Sequence, residues 1–185
     1  MSLGKALRRP LVQEAAVAVV LHGRSVEEAR VLLVRRALKV GDPWSGHMAL
    51  PGGRRAPGDV DLLATALRET HEEVGIELAR THSLGALPPV FTVAPARQAP
   101  LLGVLPMVVR PYVLVLDEPA QCALSAEVTA VRWVSLQTLI DPARRTTRPW
   151  RFLGVRWPAP AWDLDGDIVW GLTYQMLTTL MRSLR

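Results

Sequence analysis

Residues 51–76 read PGGRRAPGDVDLLATALRETHEEVGI. A glycine pair, a polar turn and an acidic helix follow one another in this stretch. The apolar positions Leu62, Leu63, Ala66, Leu67 and Val74 recur at helical spacing, which predicts a helix from Asp61 to Val74. Asp59 or Asp61 is placed to cap its start, and Gly75 to end it. Successive helix residues turn by about 100°, so Glu69, Glu72 and Glu73 fall within an arc of about 100°, one turn deep. The leucines occupy the opposite face and are expected to pack on a sheet, which leaves the carboxylates facing away from the core. Three carboxylates this close repel one another, and a hard divalent cation such as Mg²⁺ or Mn²⁺ relieves that repulsion through oxygen ligands. Glycines at 52 and 53 let the backbone approach a metal or phosphate, with their carbonyls as candidate ligands. Arg54, Arg55 and Arg68 supply compensating positive charge.

Outward from this stretch, Ala15 to Leu21 and Val31 to Val34 are apolar, β-rich runs joined by a longish hairpin loop. Residues 39–46, with Gly41, Pro43 and Gly46, read as a loop. Residues 84–92 and 103–116 read as strands, and Pro100, Pro106 and Pro111 make the second irregular or an edge. Val128 to Val134 is a strand leading into a short helix near Leu136–Ile140. Residues 141–162, rich in Arg, Pro and Trp, read as an ordered but irregular loop. Asp165-Gly166 marks a turn, and Gly171 to Leu184 has helical spacing. The order predicts an α/β (α+β) fold: a mixed β-sheet covered by helices, an α/β/α sandwich. The 185 residues are read as a single domain, with a tail over 1–10 and a C-terminal loop and helix over 141–185 packed on it.

Composition bounds the function classes. Apolar residues make up 49% and charged residues 21%, an ordinary globular balance. No apolar run reaches the roughly 18 residues that a membrane helix needs, and Glu14 interrupts the basic-then-apolar start that would otherwise resemble a signal peptide. Cys122 is the sole cysteine, which excludes an intramolecular disulfide or a cysteine zinc cluster and fits a cytoplasmic setting. The net charge of +5 is scattered in pairs such as Arg35-Arg36, Arg54-Arg55 and Arg144-Arg145, without interleaved aromatics. That pattern favours a small anionic ligand over nucleic acid or a membrane. Arg35, Arg36, Arg54 and Arg55 are the candidate phosphate clamps. A homodimer is compatible with the sequence.

The glycine bend and the Arg-Glu-x-x-Glu-Glu-x-Gly run resemble the motif of the Nudix hydrolase family. Gly53, Arg68, Glu69, Glu72, Glu73, Gly75 and Ile76 occupy its positions. Asp59 stands where that motif has its first glutamate, with eight rather than seven residues before Arg68. The resemblance implies a loop–helix–loop motif on a mixed-sheet sandwich. It also implies hydrolysis of a nucleoside diphosphate linked to another moiety, with Mg²⁺ or Mn²⁺. By the same resemblance Glu72 and Glu73 bind metal, Glu69 binds metal or acts as base, Gly52 adds a carbonyl, and Arg68 orients a glutamate. Glu127, six residues before Trp133, matches a loop glutamate that some relatives use as a ligand or base.

A narrower resemblance is to the coenzyme A pyrophosphatase branch. Leu32-Leu33-Val34-Arg35-Arg36, Gly46, Pro51-Gly52-Gly53, Asp59-Val60-Asp61, Thr65-Ala66-Leu67-Arg68-Glu69 and Trp170-Gly171-Leu172-Thr173 carry it. Trp44 and Leu50 depart from it, standing where that branch has His and Phe. It implies coenzyme A or an acyl-coenzyme A as substrate. ADP-ribose, a nucleotide sugar, a dinucleoside polyphosphate or an oxidised nucleotide are the alternatives, and a non-catalytic nucleotide-binding module is a further one. His47 and His71 lie near the motif, and Trp150, Trp157 and Trp162 are candidates to stack on an adenine or to pack the core.

Overall fold

The computed structural model describes residues 12–40, 44–95, 103–152 and 155–184. The expected tail at 1–10, and Gly41, Pro43 and Pro100, lie outside the described residues. Strand β1 (Gln13–His22) runs parallel to β7 (Val104–Leu116) through the middle of a mixed sheet. On its other edge β1 meets β2 (Arg30–Arg36) only at Leu21 and His22, so the two strands diverge. The chain of β3 (Met48–Ala49) and β4 (Gly52–Arg54) fills that split: β3 pairs with β2, β4 with β1, and the Ala18 N–H donates to the Pro51 carbonyl at 2.8 Å. Outside β2 lies β8 (Val128–Ser135), and outside β7 lie β5 (Ser83–Ala86) and β6 (Val90–Pro95).

Alternation of side chains along the strands divides the core into two layers. Ala16, Ala18, Val20, Leu32 and Val34 face helix α1 (Leu62–Val74), with its Ala66 and Val74. Ala15, Val19, Leu21, Val31 and Leu33 face the opposite layer. That layer holds α2 (Leu136–Ile140), α3 (Gly171–Ser183) and an antiparallel sheet of β9 (Arg145–Phe152), β10 (Val155–Leu164) and β11 (Asp167–Trp170). The expected α/β/α layering and mixed sheet are present. Helix α1 starts at the Asp61 cap, whose carboxylate accepts from the Ala64 N–H, and ends at Gly75 in the left-handed conformation (φ 71°).

Four local expectations are corrected. Residues 141–162 are not an irregular loop but mostly the strands β9 and β10. Their prolines hid the ladder: Pro149 and Pro158 are registered opposite each other, so both missing N–H groups fall on one rung. The outer edge of β10 pairs with β11 only from Ala161 onward, past Pro158 and Pro160. Second, β7 is interior rather than an edge. Pro106 lies just before the β1 pairing begins at Met107, and Pro111 lies where its outer partner changes from β6 to β5. There the Pro111 carbonyl still accepts the Leu87 N–H at 2.9 Å. Third, residues 84–92 form parts of two strands, broken at Pro88-Pro89. Fourth, Leu62, Leu63 and Leu67 are only half-buried, whereas Thr65, Ala66, Thr70 and Val74 are fully buried, and so is Glu73.

Candidate functional site

The glycine bend sits in the split between β1 and β2, and α1 lies over it. Gly52 and Gly53 are needed there for different reasons. A Cβ on Gly52 would lie 2.4 Å from the Ala16 carbonyl oxygen and 2.5 Å from the Val17 Cα, and its φ of 151° already disfavours a side chain. The nearest atoms to a Cβ on Gly53 would be those of the Glu69 carboxylate, at 2.4 Å. The Glu69 carboxylate thus occupies the space where residue 53 has no side chain. Beside it, the Gly52 N–H donates to Glu73 Oε2 at 3.0 Å.

Arg68 organises the rest of this end. Its Nε and Nη2 each reach the Asp59 carboxylate at 3.0 Å, and its Nη1 lies 2.9 Å from Glu69 Oε1 and donates to Glu72 Oε2 at 2.9 Å. Asp59 also accepts from the Ala56 N–H and the Thr65 hydroxyl, both at 2.8 Å. It is the partner that fixes Arg68, a role that the longer spacing before Arg68 gave no means of assigning. These contacts hold the Asp59 carboxyl below the usual carboxylate range, with the Arg68 guanidinium the largest cause. Burial pushes the Glu69 carboxyl up, and Arg68 opposes that shift.

Glu73 differs most from expectation. It does not face away from the core but is 5% exposed. Burial pushes its carboxyl up to about 7, against the pull of the Gly52 N–H and of Arg36, whose guanidinium is 4.0 Å away. The arc reasoning holds for Glu72, which is exposed, and Glu69 is half-buried between them. The three carboxylates therefore share one helix face but not one environment.

All three line a cleft of about 1130 Å³, walled also by Arg36, Arg54, Arg55 and Arg68. Arg36 follows Val34 on the α1 side of β2, whereas Arg35 projects with Leu33 to the other side. Arg35 does not line the cleft and instead pairs with Asp167, which also accepts from Arg132 Nη1 at 2.9 Å. Arg55 lines the cleft edge while donating to Glu14 Oε2 at 2.9 Å. Glu127 reaches the cleft, exposed and 3.7 Å from the Lys39 ammonium. His47 lines it too, packed edge-on against Trp170 with ring centroids 5.0 Å apart, while His71 is exposed on α1 and does not line it.

The tryptophans divide in three. Trp162 is core, tilted on Tyr174 at 4.2 Å. Trp157 is 59% exposed and outside the cleft, and Trp150 lines it. Trp44 and Trp170 line it as well, with the Arg148 guanidinium 4.6 Å over the Trp170 ring. The sequence reading missed the whole far wall, which is α3 from Gly171 to Arg182 facing Thr92, Met107 and Val109 of β6 and β7. The polar residues Gln175, Thr178, Thr179 and Arg182 on one stripe of that helix were the available signal.

The donor set at the glycine bend fits a hard divalent cation. It is carboxylate-rich, and one member is buried with too little positive charge to lower its pKa. Among the described residues no three such groups form a ready-made chelate, because Arg68 draws on Glu69 and Glu72 while the Gly52 N–H holds Glu73. Glu69, Glu72 and Glu73 are the residues that would hold the ion.

Comparison with known proteins gives a consistent picture. The family model described as the NUDIX domain matches residues 12–155. An uncharacterized protein of Schizosaccharomyces pombe, C14C4.10c, is 40% identical over 119 residues, 63% of this chain and 35% of that protein. An uncharacterized Nudix hydrolase, NudL, of Enterobacter sp. strain 638 is 38% identical over 94 residues, 51% of this chain and 47% of that protein. The matched stretches thus span less than half the length of these curated relatives. Among solved structures, a MutT/nudix family protein from Enterococcus faecalis superposes with a TM-score of 0.58 at 17% identity, covering 100% of this chain and 70% of the other. A bifunctional NMN adenylyltransferase/ADP ribose pyrophosphatase from Francisella tularensis, complexed with AMP and a manganese ion, gives 0.57 at 17% identity, covering 98% and 44%. At these identities the structural likeness establishes the fold.

Proposed function

The chain belongs to the Nudix family, and from that premise we propose that it hydrolyses the diphosphate linkage of a nucleoside-diphosphate derivative, using Mg²⁺ or Mn²⁺. One observation carries the reading: Glu69 and Glu73 are packed against the Gly52–Gly53 bend inside a cleft that Arg36, Arg54 and Arg55 also line. A diphosphate lying there meets acidic groups suited to a cation and arginines suited to its oxygens.

When bound, the cation supplies a lowered pKa for an attacking water and charge stabilisation on the phosphates. The protein's own groups do the rest. Arg68, tied to Asp59, fixes the carboxylates of Glu69 and Glu72 relative to the bend. Glu69 or Glu127 takes the proton of the attacking water on a carboxylate oxygen. Water adds in line to one phosphorus, the bridging P–O bond breaks, and two phosphate-bearing products leave. Arg36, Arg54 and Arg55 hold phosphate oxygens during that displacement.

Coenzyme A or an acyl-coenzyme A is the substrate we propose first, cleaved to 3′-phosphoadenosine 5′-phosphate and (acyl-)phosphopantetheine. Support comes from the branch motifs around the glycine bend and helix, from the volume of the cleft, and from its arginines. The test is a substrate panel of coenzyme A, acetyl-coenzyme A, ADP-ribose, a nucleotide sugar and a dinucleoside polyphosphate, with Mg²⁺ or Mn²⁺. Products are resolved by mass in ¹⁸O-water. Coenzyme A turning over fastest supports the substrate. Rapid cleavage of another member with coenzyme A untouched removes it, and no cleavage of any member removes the hydrolase reading.

A further inference from the structure

The cleft is longer than a diphosphate and its two ends are built differently. At the glycine bend Arg68, Glu69, Glu72 and Glu73 are bonded within the protein. Along α3, Thr173, Tyr174, Gln175, Thr178 and Arg182 line the cleft with no side-chain hydrogen bond or ion pair among the described residues, and three of them form one stripe. Gln175, Thr178 and Arg182 stand at i, i+3 and i+7, within an arc of about 60° on the stripe that lines the cleft. Among the described residues none has a side-chain hydrogen-bond or ion-pair partner.

Thr178 is the informative member. Three hydroxyls in α1 and α3 bond the carbonyl four residues back: Thr70 to Ala66 at 2.7 Å, Thr179 to Gln175 at 2.9 Å, Ser183 to Thr179 at 3.1 Å. Thr178 does not, and its hydroxyl oxygen is shielded with no partner although the residue lines the cleft. Leaving a shielded hydroxyl unpaired is unfavourable. One turn further along, Arg182 is exposed at the cleft mouth. The end of a helix carries about half a negative charge, so the full positive charge of Arg182 leaves this end attractive to an anion.

From Gly171, beside Trp170 and His47, to Arg182 the helix extends about 16 Å. Between them the cleft is apolar, with Leu172, Met176, Met107 and Val109. We propose that the α3 wall is a substrate-reading subsite. In it Arg182, with Thr178 and Gln175, binds a second anionic group, a phosphomonoester or carboxylate, that the substrate carries apart from its diphosphate. This rests on the diphosphate reading above, and it adds which diphosphates are preferred and which residues choose them.

The test uses two matched pairs of ligands. Coenzyme A against dephospho-coenzyme A isolates a ribose phosphomonoester, and succinyl- against butyryl-coenzyme A isolates a carboxylate at the far end of an acyl arm. Affinities are measured by calorimetry in EDTA, where no turnover is needed, and kcat/KM with Mg²⁺. The anionic member of one pair is expected to bind about tenfold more tightly to the wild-type chain, and Arg182→Gln to erase that preference. Thr178→Val keeps the shape and loses the hydroxyl. It is expected to weaken the same ligand about threefold while leaving the melting temperature unchanged or raised, which a structural hydroxyl would not do. The pair that responds identifies the group read. Equal affinity within both pairs, no binding of any of the four, or an unchanged preference in Arg182→Gln overturns the subsite. Failure to hydrolyse any diphosphate, with the binding preference intact, overturns instead the enzymatic reading.

Discussion

The two ends of the cleft make opposite use of polar groups. At the glycine bend Arg68 spans Asp59, Glu69 and Glu72, and Gly52 holds Glu73, so each of these groups has a protein partner before any ligand arrives. Along α3, Gln175, Thr178 and Arg182 are uncommitted among the described residues. The difference teaches a division of labour. Groups that must be positioned for chemistry are locked by their neighbours, whereas groups that read a ligand are left for the ligand to satisfy. Changes at the bend should therefore cost fold or turnover, and changes at α3 should alter preference.

The adjacent glycines give the sharpest break. Gly52→Ala drives a Cβ into the backbone of β1, which cannot move aside. Its expected cost is about 3 kcal/mol or more, seen as insoluble protein or a collapsed melting temperature. Next is Glu73→Gln, expected to lower kcat by about 10²-fold or more, near 2.7 kcal/mol, with the fold retained. Near-normal kcat in that variant would falsify the role of Glu73. Gly53→Ala comes third. Its Cβ meets first the Glu69 carboxylate, the far end of a side chain, so folding survives while that carboxylate is displaced. A fall of about 30-fold in kcat, with the melting temperature within a few degrees of wild type, is the expected pairing. Equal stability in Gly52→Ala and Gly53→Ala would break the distinction between the two positions.

How much of this was legible in the sequence follows the same division. Helix α1, its Asp61 and Gly75 caps and its acidic face were readable because caps and periodicity act within a few residues of chain. The reason for two glycines was not, since the atoms they make room for belong to β1 and to Glu69. Burial of Glu73 escaped because an angular wheel has no sheet in it, and the bend that covers this glutamate comes from twenty residues upstream. Arg35 and Arg36 looked equivalent until the strand alternation sent one to Asp167 and the other toward Glu73. Helix α3 was legible by its spacing but its place on the cleft was not, and the β9–β11 sheet stayed hidden for another reason. The prolines and tryptophans of that sheet match no periodic template, and its pairing is set by rungs such as Pro149 opposite Pro158.

Asp59 and Glu73 extend the contrast to pH, with opposite signs. Asp59 is held below its ordinary value by Arg68, so it stabilises the fold above its unfolded value of 3.8, and that contribution fades as pH falls through its folded value. Asp59→Asn is expected to lose about 2 kcal/mol at pH 7 by denaturant titration, and to flatten the acid limb of the stability curve.

Glu73 is raised instead. Its unfolded value is 4.5 and its folded value about 7, so between those limits the folded chain binds the extra proton. Stability linked to this group is therefore greatest below pH 4.5 and is lost as pH climbs toward 7. That span sets a ceiling of about 3 kcal/mol, and the open cleft reduces the expected loss to about 1–2 kcal/mol. Melting the chelator-treated protein from pH 5 to pH 8, beside Glu73→Gln, isolates the effect. Wild type should fall relative to the variant as pH rises, and Glu73→Gln, with no carboxyl to ionise, should be the more stable of the two at pH 8. Excess Mg²⁺ or Mn²⁺ should close that gap, since a cation beside the carboxylate removes the penalty for ionising it. A gap that persists unchanged with the metal present would mean that Glu73 is buried for packing alone, and the functional contrast between the two ends would lose its strongest member.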